Sequence, residues 1–391
     1  MKSIVIIIFT WSFVIVNASF DDSLKLFRKT EVYSNSNFNI GSTHLPSNFF
    51  KKLYYGGQIN NNDKGNLEGI NNIQRSGMEL DINIGAKFKN SKNDYGWYIN
   101  YQNLITAAGK YNLGLFDLIF RGNTNIDEQL LLNTTAFHFR NHQLLHIGKF
   151  FKRFNAGITL GNILNESNGK FGDQDYLNFT NPYKWIVVGN PEIISTGNTS
   201  HFFKKNGSSF GLDFQISNPI ISNKVNFDFQ IKNLGIIYLH NHIKSINYDT
   251  SFIYSGLSLD QITNNDSSNS LFNNFSRVNS LENKILITPF EVNTNINFRV
   301  NKIDFYSGLY YRFNSQYLPK IYLRVNYFLR NKFRLGGFLN YGGYNKMQLG
   351  FNSAIEQKKW SANLTIQNLI GFIPSFGKSF GIILNLSWKV S

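Results

Sequence analysis

Ser167 is the side chain whose neighbours come nearest to a hydrolytic motif. It stands in the stretch NESNG at residues 165–169. A serine nucleophile needs a neighbouring general base, and the position two residues before it holds Asn165, whose amide cannot take up the proton. In a chain this rich in asparagine, Ser-Asn-Gly is expected by chance. We therefore predict no catalytic residues and no enzyme.

Histidines are the next candidates, because His138, His142 and His146 recur at a spacing of four. On one strand they would share a face, but Asn141 predicts a turn between them. No Asp or Glu lies within this stretch to complete a site. His240 and His242 supply only two further ligands. We predict no metal site and, with no phosphate loop or nucleotide fingerprint present, no cofactor.

The amino-acid composition excludes several other kinds of functional site and partner. The 391 residues contain no cysteine, which rules out disulfides, thiolate catalysis and cysteine-based zinc sites. The formal net charge is +15, but the joint abundance of Asn, Lys, Ile, Phe and Tyr is typical of a strongly AT-biased genome. Since the sequence contains no basic block, we expect no nucleic-acid partner.

The clearest structural signal lies between Lys320 and the end of the chain. Ile321, Leu323 and Val325 alternate there with Lys320, Tyr322 and Arg324, and four similar runs follow after short polar turns. Successive side chains of a strand point to opposite faces, so this alternation predicts a meander of five strands with one apolar and one polar face.

Strand length favours a membrane barrel over a secreted sandwich. The runs are about ten residues long, as tilted transmembrane strands require, whereas sandwich strands are shorter. Aromatic residues at strand ends suit the membrane interface. We predict an all-β transmembrane antiparallel up-and-down β-barrel of about 14 strands, within 12–16, lying in the outer membrane with lipid around it. The predicted interfacial anchors are Tyr95, Trp97, Tyr341, Trp360 and Trp388.

The N-terminus predicts export. Residues 1–18 combine a short basic start, an apolar run too short to span a bilayer and an Asn17-Ala18 end typical of a cleavable signal peptide. Residues 19–75 show little regular pattern beyond a short strand predicted at Ser34–Ile40. They predict a periplasmic extension, an initial strand followed by a long first loop, or a plug in the lumen. The barrel itself is predicted at 76–391, with long loops at 164–209 and 242–283.

In each predicted strand, the alternate positions that carry polar residues are those expected to face the lumen. The excess of arginine among them would favour an anionic solute if the lumen conducts. Alternatively, these side chains hydrogen-bond to one another or to a plug and close the barrel. The lumen-facing candidates are Arg299, Arg312, Arg324, Arg334, Glu79, Asp81 and Asp304.

Several motifs follow one another along the chain: FFKKLYYGGQI and SGMELDINIGAKF, then the strand KNLGIIYLH, then the C-terminal series from Tyr341-Gly342-Gly343 through Gly371-Phe372-Ile373-Pro374-Ser375 to the closing strand. In this order they resemble a family of uncharacterised outer-membrane barrels from the Bacteroidota. The resemblance implies an outer-membrane barrel that is distantly similar to fatty-acid channels and to barrels of type IX secretion and gliding. It implies no catalytic residues.

Two functions stay open from the sequence. The first is a channel or transporter for a hydrophobic or anionic small solute, with a kinked wall strand or a plug as supporting features. The second is a non-conducting scaffold with protein partners in a secretion, gliding or envelope-assembly complex. Fold alone does not choose between them.

Overall fold

The computed structural model describes most of the chain after residue 28. The predicted signal peptide at 1–18 lies outside the described residues. None of the helices in the described part is long and apolar enough to cross a membrane. The described ranges are 29–65, 72–89, 95–122, 129–181, 184–197, 205–221, 225–241, 243–247, 250–254, 278–279, 283–330, 332–373 and 376–390.

Fourteen strands in these ranges close into an antiparallel barrel, as the sequence predicted. Each strand pairs with the next along the chain, and the last pairs with the first, so the barrel leaves no free sheet edge. The barrel strands are β1 (Lys29–Ser42), β2 (Ile73–Lys89), β3 (Gly96–Asn112), β4 (Ala136–Phe150), β5 (Phe154–Lys170), β6 (Gly207–Ile221), β7 (Val225–Leu239), β8 (Glu291–Val300), β9 (Ile303–Arg312), β10 (Leu318–Arg330), β11 (Phe333–Gly343), β12 (Asn345–Glu356), β13 (Trp360–Ile366) and β14 (Ser379–Val390).

Alternation along the strands sorts side chains between the outside and the lumen. On β10, Ile321 and Leu323 are 55% and 53% exposed on the outer face, whereas Asn326 on the opposite parity is 2% exposed. Exposed Ile, Leu, Val and Phe side chains continue around the barrel, and the polar side chains of the same strands lie inside. A band of this kind would be unfavourable in water and matches the hydrocarbon of a bilayer.

The first strand is longer than the sequence indicated. Within residues 19–75 the sequence predicted at most a short strand at Ser34–Ile40, and it placed the barrel at 76–391. Instead β1 occupies Lys29–Ser42 and is hydrogen-bonded to β2 on one side and β14 on the other. Its sequence, KTEVYSNSNFNIGS, has few aliphatic side chains and so carries a weak alternation signal. The strand is specified by its two neighbours more than by its own pattern.

The two ends of the barrel differ. Connections of two to six residues, such as 301–302 and 90–95, join strands at the end that also holds Lys29 and Val390. Long connections such as 43–72 lie at the other end, which we call the loop end. In outer-membrane barrels the short turns face the periplasm and the long loops face outward.

Two short helices pack together at the loop end. The helix Leu113–Arg121 begins where the Asn112 side chain accepts a hydrogen bond from the Leu115 N–H, and it ends at Gly122, whose φ is 85°. Its Phe120 ring lies 5.2 Å from the ring of Phe49 on the helix Ser47–Tyr55. The end of β3 at Asn112 therefore passes directly into this helix.

The long predicted loops carry further strands. The segment 164–209 contains the end of β5, three short strands and the start of β6, and it is therefore more regular than predicted. Of the segment 242–283, residues 255–277 lie outside the described residues. The short strands outside the barrel are Gln129–Leu131, Tyr176–Asn181, Lys184–Gly189, Glu192–Thr196, Ile243–Asn247, Thr250–Tyr254, Val278–Asn279 and Lys284–Ile287.

One wall strand is interrupted between Ile287 and Glu291. Thr288–Phe290 separates Lys284–Ile287 from β8, and Pro289 cannot donate a ladder hydrogen bond. Thr288 closes the interruption: its N–H donates to the Gly235 carbonyl at 3.1 Å, and its hydroxyl accepts from the Gly235 N–H at 3.0 Å. The wall is therefore kinked and hydrogen-bonded there.

Closure between β1 and β14 gives the first prediction. Asn35 and Asn385 are register partners, at a separation that suits a disulfide, and the chain has no other cysteine. We expect Asn35→Cys with Asn385→Cys to cross-link on oxidation, so that the heat-denatured chain migrates faster on non-reducing gels.

The control pair is Asn35→Cys with Ser387→Cys, which displaces the second cysteine by two residues and should cross-link far less. Equal cross-linking of both pairs, or none of the registered pair, would contradict this closure.

Candidate functional site

A buried arginine crosses the lumen near the loop end. Arg312 Nη1 lies 2.8 Å from Glu79 Oε2, and Arg312 Nη2 lies 3.0 Å from Glu79 Oε1. Arg312 Nη2 also lies 2.6 Å from Glu291 Oε1. Glu79 is on β2 and Arg312 on β9, the second and ninth of the fourteen strands, so the bidentate bridge joins opposite walls.

Three tyrosines fill the space beside this bridge. The ring of Tyr317 lies 4.9 Å from that of Tyr344 and 5.7 Å from that of Tyr310, both edge-on. Gly77 makes room for them, because a Cβ there would come within 2.4 Å of the Tyr344 ring. Burial raises the pKa of Tyr317 and of Tyr344, so both phenols stay neutral.

A second charged cluster also reaches across the barrel. Arg140 Nε lies 2.9 Å from Glu166 Oε1, and His142 Nε2 lies 2.8 Å from Glu166 Oε2. Arg140 Nη1 donates to the Asn314 carbonyl at 2.6 Å, in the turn that follows β9. We call the side chains of this cluster, the Arg312 bridge and the tyrosines the seal.

Below the seal, a third histidine is held by polar partners. His146 Nδ1 lies 2.7 Å from Asp213 Oδ2, and His146 Nε2 lies 2.9 Å from Gln102 Oε1. Gln102 Nε2 in turn donates to Asp81 Oδ1 at 2.9 Å. This chain of contacts fixes both ring nitrogens of the histidine.

The predicted turn at Asn141 is wrong, and so is the expectation that no carboxylate meets the histidines. β4 runs unbroken from Ala136 to Phe150. Its acidic partners come from β5 and β6, Glu166 being 24 residues from His142 and Asp213 being 67 from His146. No group of three or more metal-ligating side chains occurs in the described ranges.

The orientation of Glu166 could not be deduced from the alternation of its strand. The register passes from Asn141 opposite Asn165 to His142 opposite Ile163, so Leu164 is an extra residue on β5. Such a bulge reverses which face the following side chains occupy. Asp213, by contrast, has the inward parity of its run, and the sequence analysis overlooked it.

Between the seal and the short turns lies a chamber of about 590 Å³. Its deepest wall includes Gln102 and His146, and its outer wall includes side chains beside the turns, such as Lys332 and Glu356. Amide and hydroxyl groups make up much of the surface. Its charged lining residues are Lys87, Lys232, Lys332, Arg334, Lys389, Glu31, Asp213 and Glu356.

The predicted lumen residues fall into three groups. Glu79 and Arg312 belong to the seal, and Asp81 lies directly below it, 2.7 Å from Asn83 Nδ2. Arg299 and Asp304 form a salt bridge on neighbouring strands near a short turn. Arg324 and Arg334 lie on β10 and β11, and each guanidinium covers a phenylalanine ring.

The predicted aromatic anchors lie at both ends of the barrel. At the short-turn end, Trp360 is the register partner of Trp388, and Lys149 Nζ lies 5.6 Å from the ring of Trp97 and 5.1 Å from that of Tyr95. Tyr341, 60% exposed, is at the loop end. Their role at a membrane interface remains a prediction.

No family model matches the chain, and no curated protein does. Among solved structures, the chain is similar to a mutant of the TodX monoaromatic hydrocarbon channel, with 7% identity, a TM-score of 0.42 and coverage of 92% of this chain and 89% of the other. The P. putida toluene transporter TodX has 8% identity and a TM-score of 0.39, with coverage of 92% of this chain and 89% of the other. A triple mutant of the Rhodopseudomonas blastica porin has 6% identity and a TM-score of 0.28, with coverage of 92% of this chain and 100% of the other.

The bridge gives a prediction about stability. Glu79→Gln keeps the side-chain shape but leaves Arg312 with a single carboxylate inside the barrel. We expect the free energy of unfolding in urea to fall by about 3 kcal/mol, because a buried charge loses a partner.

Glu192→Gln is the matched control, since Glu192 and its partner Lys170 are 3.0 Å apart with side chains 50% and 69% exposed. It should change the free energy by less than about 1 kcal/mol. Similar losses in the two variants would show that Glu79 is not in a buried bridge.

Proposed function

We propose that this protein is an outer-membrane channel for a small anionic solute, exported by the signal peptide at residues 1–18 and belonging to the Bacteroidota barrel family that its motifs resemble. The short turns would then face the periplasm and the loop end the exterior. The observation that carries this proposal is the chamber of about 590 Å³ beneath the seal.

The character of the chamber wall supports a hydrophilic solute. Its amides and hydroxyls can replace the hydration shell of a polar molecule, whereas an apolar solute would leave them unpaired. More cationic than acidic side chains line it, which favours an anion. The uncharged polar lining includes Asn35, Asn83, Asn100, Gln215, Gln230, Asn363 and Ser387.

The construction of the seal supports gating. Arg312 holds it by hydrogen bonds to Glu79 and Glu291, and these bonds can break through side-chain rotation without loss of any barrel hydrogen bond. Tyr317 and Tyr344 belong to connections between strands, outside the barrel ladder. The conformation described here is therefore a closed state in this proposal.

The test is solute release from proteoliposomes. Wild-type protein should release acetate slowly, and Arg312→Gln should release it severalfold faster, because the bridge between opposite walls is lost. Tetramethylammonium should leave more slowly than acetate in both. Lys170→Gln, which also removes one cation but lies outside the seal, should behave as wild type.

Heat-modifiable migration on gels confirms that each variant is folded. Folded Arg312→Gln protein that releases no more acetate than wild type would contradict the channel. It would favour the alternative, a non-conducting scaffold in a secretion, gliding or envelope-assembly complex.

A further inference from the structure

Around Tyr306 the inner wall carries more positively than negatively charged side chains. Its phenol lies within electrostatic range of Arg299, Arg324 and Arg334, and of one carboxylate, Asp304. Arg299 takes that carboxylate with two hydrogen bonds, from Nε to Oδ1 and from Nη2 to Oδ2. Two guanidinium groups are therefore left without an acidic partner.

Arg324 and Arg334 also lack partners for their own donors. In the described ranges neither forms a salt bridge, and the Nε–H of each is shielded from solvent with no hydrogen-bond acceptor. A shielded donor on a cation is costly unless something accepts from it. The paired arginines elsewhere in the lumen show no such deficit, since Arg140 and Arg312 each meet carboxylate oxygens.

Aromatic rings orient both guanidinium groups. Arg324 Cζ lies 5.4 Å from the centre of the Phe338 ring, and Arg334 Cζ lies 5.9 Å from that of Phe328. A cation over an aromatic ring is attracted to the ring face, which restrains each guanidinium. The N–H donors of a guanidinium match the oxygens of a carboxylate or phosphate.

One of these arginines, Arg334, lines the chamber. Phe328 and the neighbouring Lys332 line it as well, while Arg324 lies further along β10 towards the seal. An anion entering past the short turns would meet Lys332, then Arg334, and then Arg324. These three cationic side chains lie one after another between the chamber and the closed part of the lumen.

We propose that Arg324 and Arg334 form a binding site for a small hydrophilic oxyanion, a carboxylate or a phosphate, on the inner wall of the barrel. This deepens the proposed function, on which it rests for the role of the site, by naming the class of solute. Tyr306, the register partner of Arg324, contributes its hydroxyl as a further hydrogen-bonding group, and the rings of Phe328 and Phe338 pack against the two arginines.

Calorimetric titration of the full chain in detergent tests the site. Inorganic phosphate and acetate are the two probes, with chloride as the reference anion. We expect saturable binding of at least one probe over chloride, and Arg324→Gln or Arg334→Gln should weaken it about tenfold or more, because a charge-assisted hydrogen bond to the anion is lost.

Lys170→Gln is the matched control, because it removes the same charge from a side chain outside the chamber, where Lys170 lies 3.0 Å from its own partner, Glu192. It should bind as wild type. Weakening by all three substitutions alike, or no saturable binding of either probe, would overturn the site.

The binding assay and the release assay distinguish failure of the site from failure of the channel. Saturable binding without acetate release from liposomes would support the site and contradict the channel. Release without saturable binding would support the channel and overturn the site.

Discussion

The structure depends on one constraint of a closed sheet surrounded by hydrocarbon. The backbone donors and acceptors of the wall pair along the closed ladder, and side chains alternate between lipid and lumen except where a bulge shifts the register, as at Leu164. Charged groups on the strands have only the lumen in which to lie, and there they must find partners across it or remain accessible to water. The pairing of β1 with β14 makes that lumen a closed space.

The balance of charges then divides the lumen into two parts. Where acids match bases, as in the contacts of Arg312 with Glu79 and of Arg140 with Glu166, the side chains converge and fill the space. Where bases exceed acids, as at Lys332 and Arg334, a chamber remains. Filled and open regions thus follow from the same alternation and differ in the supply of carboxylates from facing strands.

Much of the barrel could be predicted from sequence because alternation is a local property. The five C-terminal strands are the clearest case, and the inward parity of Glu79 and Arg312 also follows from it. Their contact could not be deduced, because it joins residues 233 apart and depends on the number of strands and on how the barrel closes. The inward orientation of Glu166 could not be predicted because of the bulge at Leu164. The full length of β1 could not be predicted because this strand has few aliphatic residues. The C-terminal motif extends to Pro374 and Ser375, which lie outside the described residues.

The central claim is that Arg312 and Glu79 close the lumen as one unit. A double-mutant cycle of single-channel conductance in planar bilayers measures this directly, with Glu79→Gln, Arg312→Gln and the double variant compared with wild type. The account predicts that each single variant opens the channel more often and that the double variant adds little, because either change removes the same bridge. Independent, additive effects, or a wild-type protein that conducts as well as the variants, would contradict it.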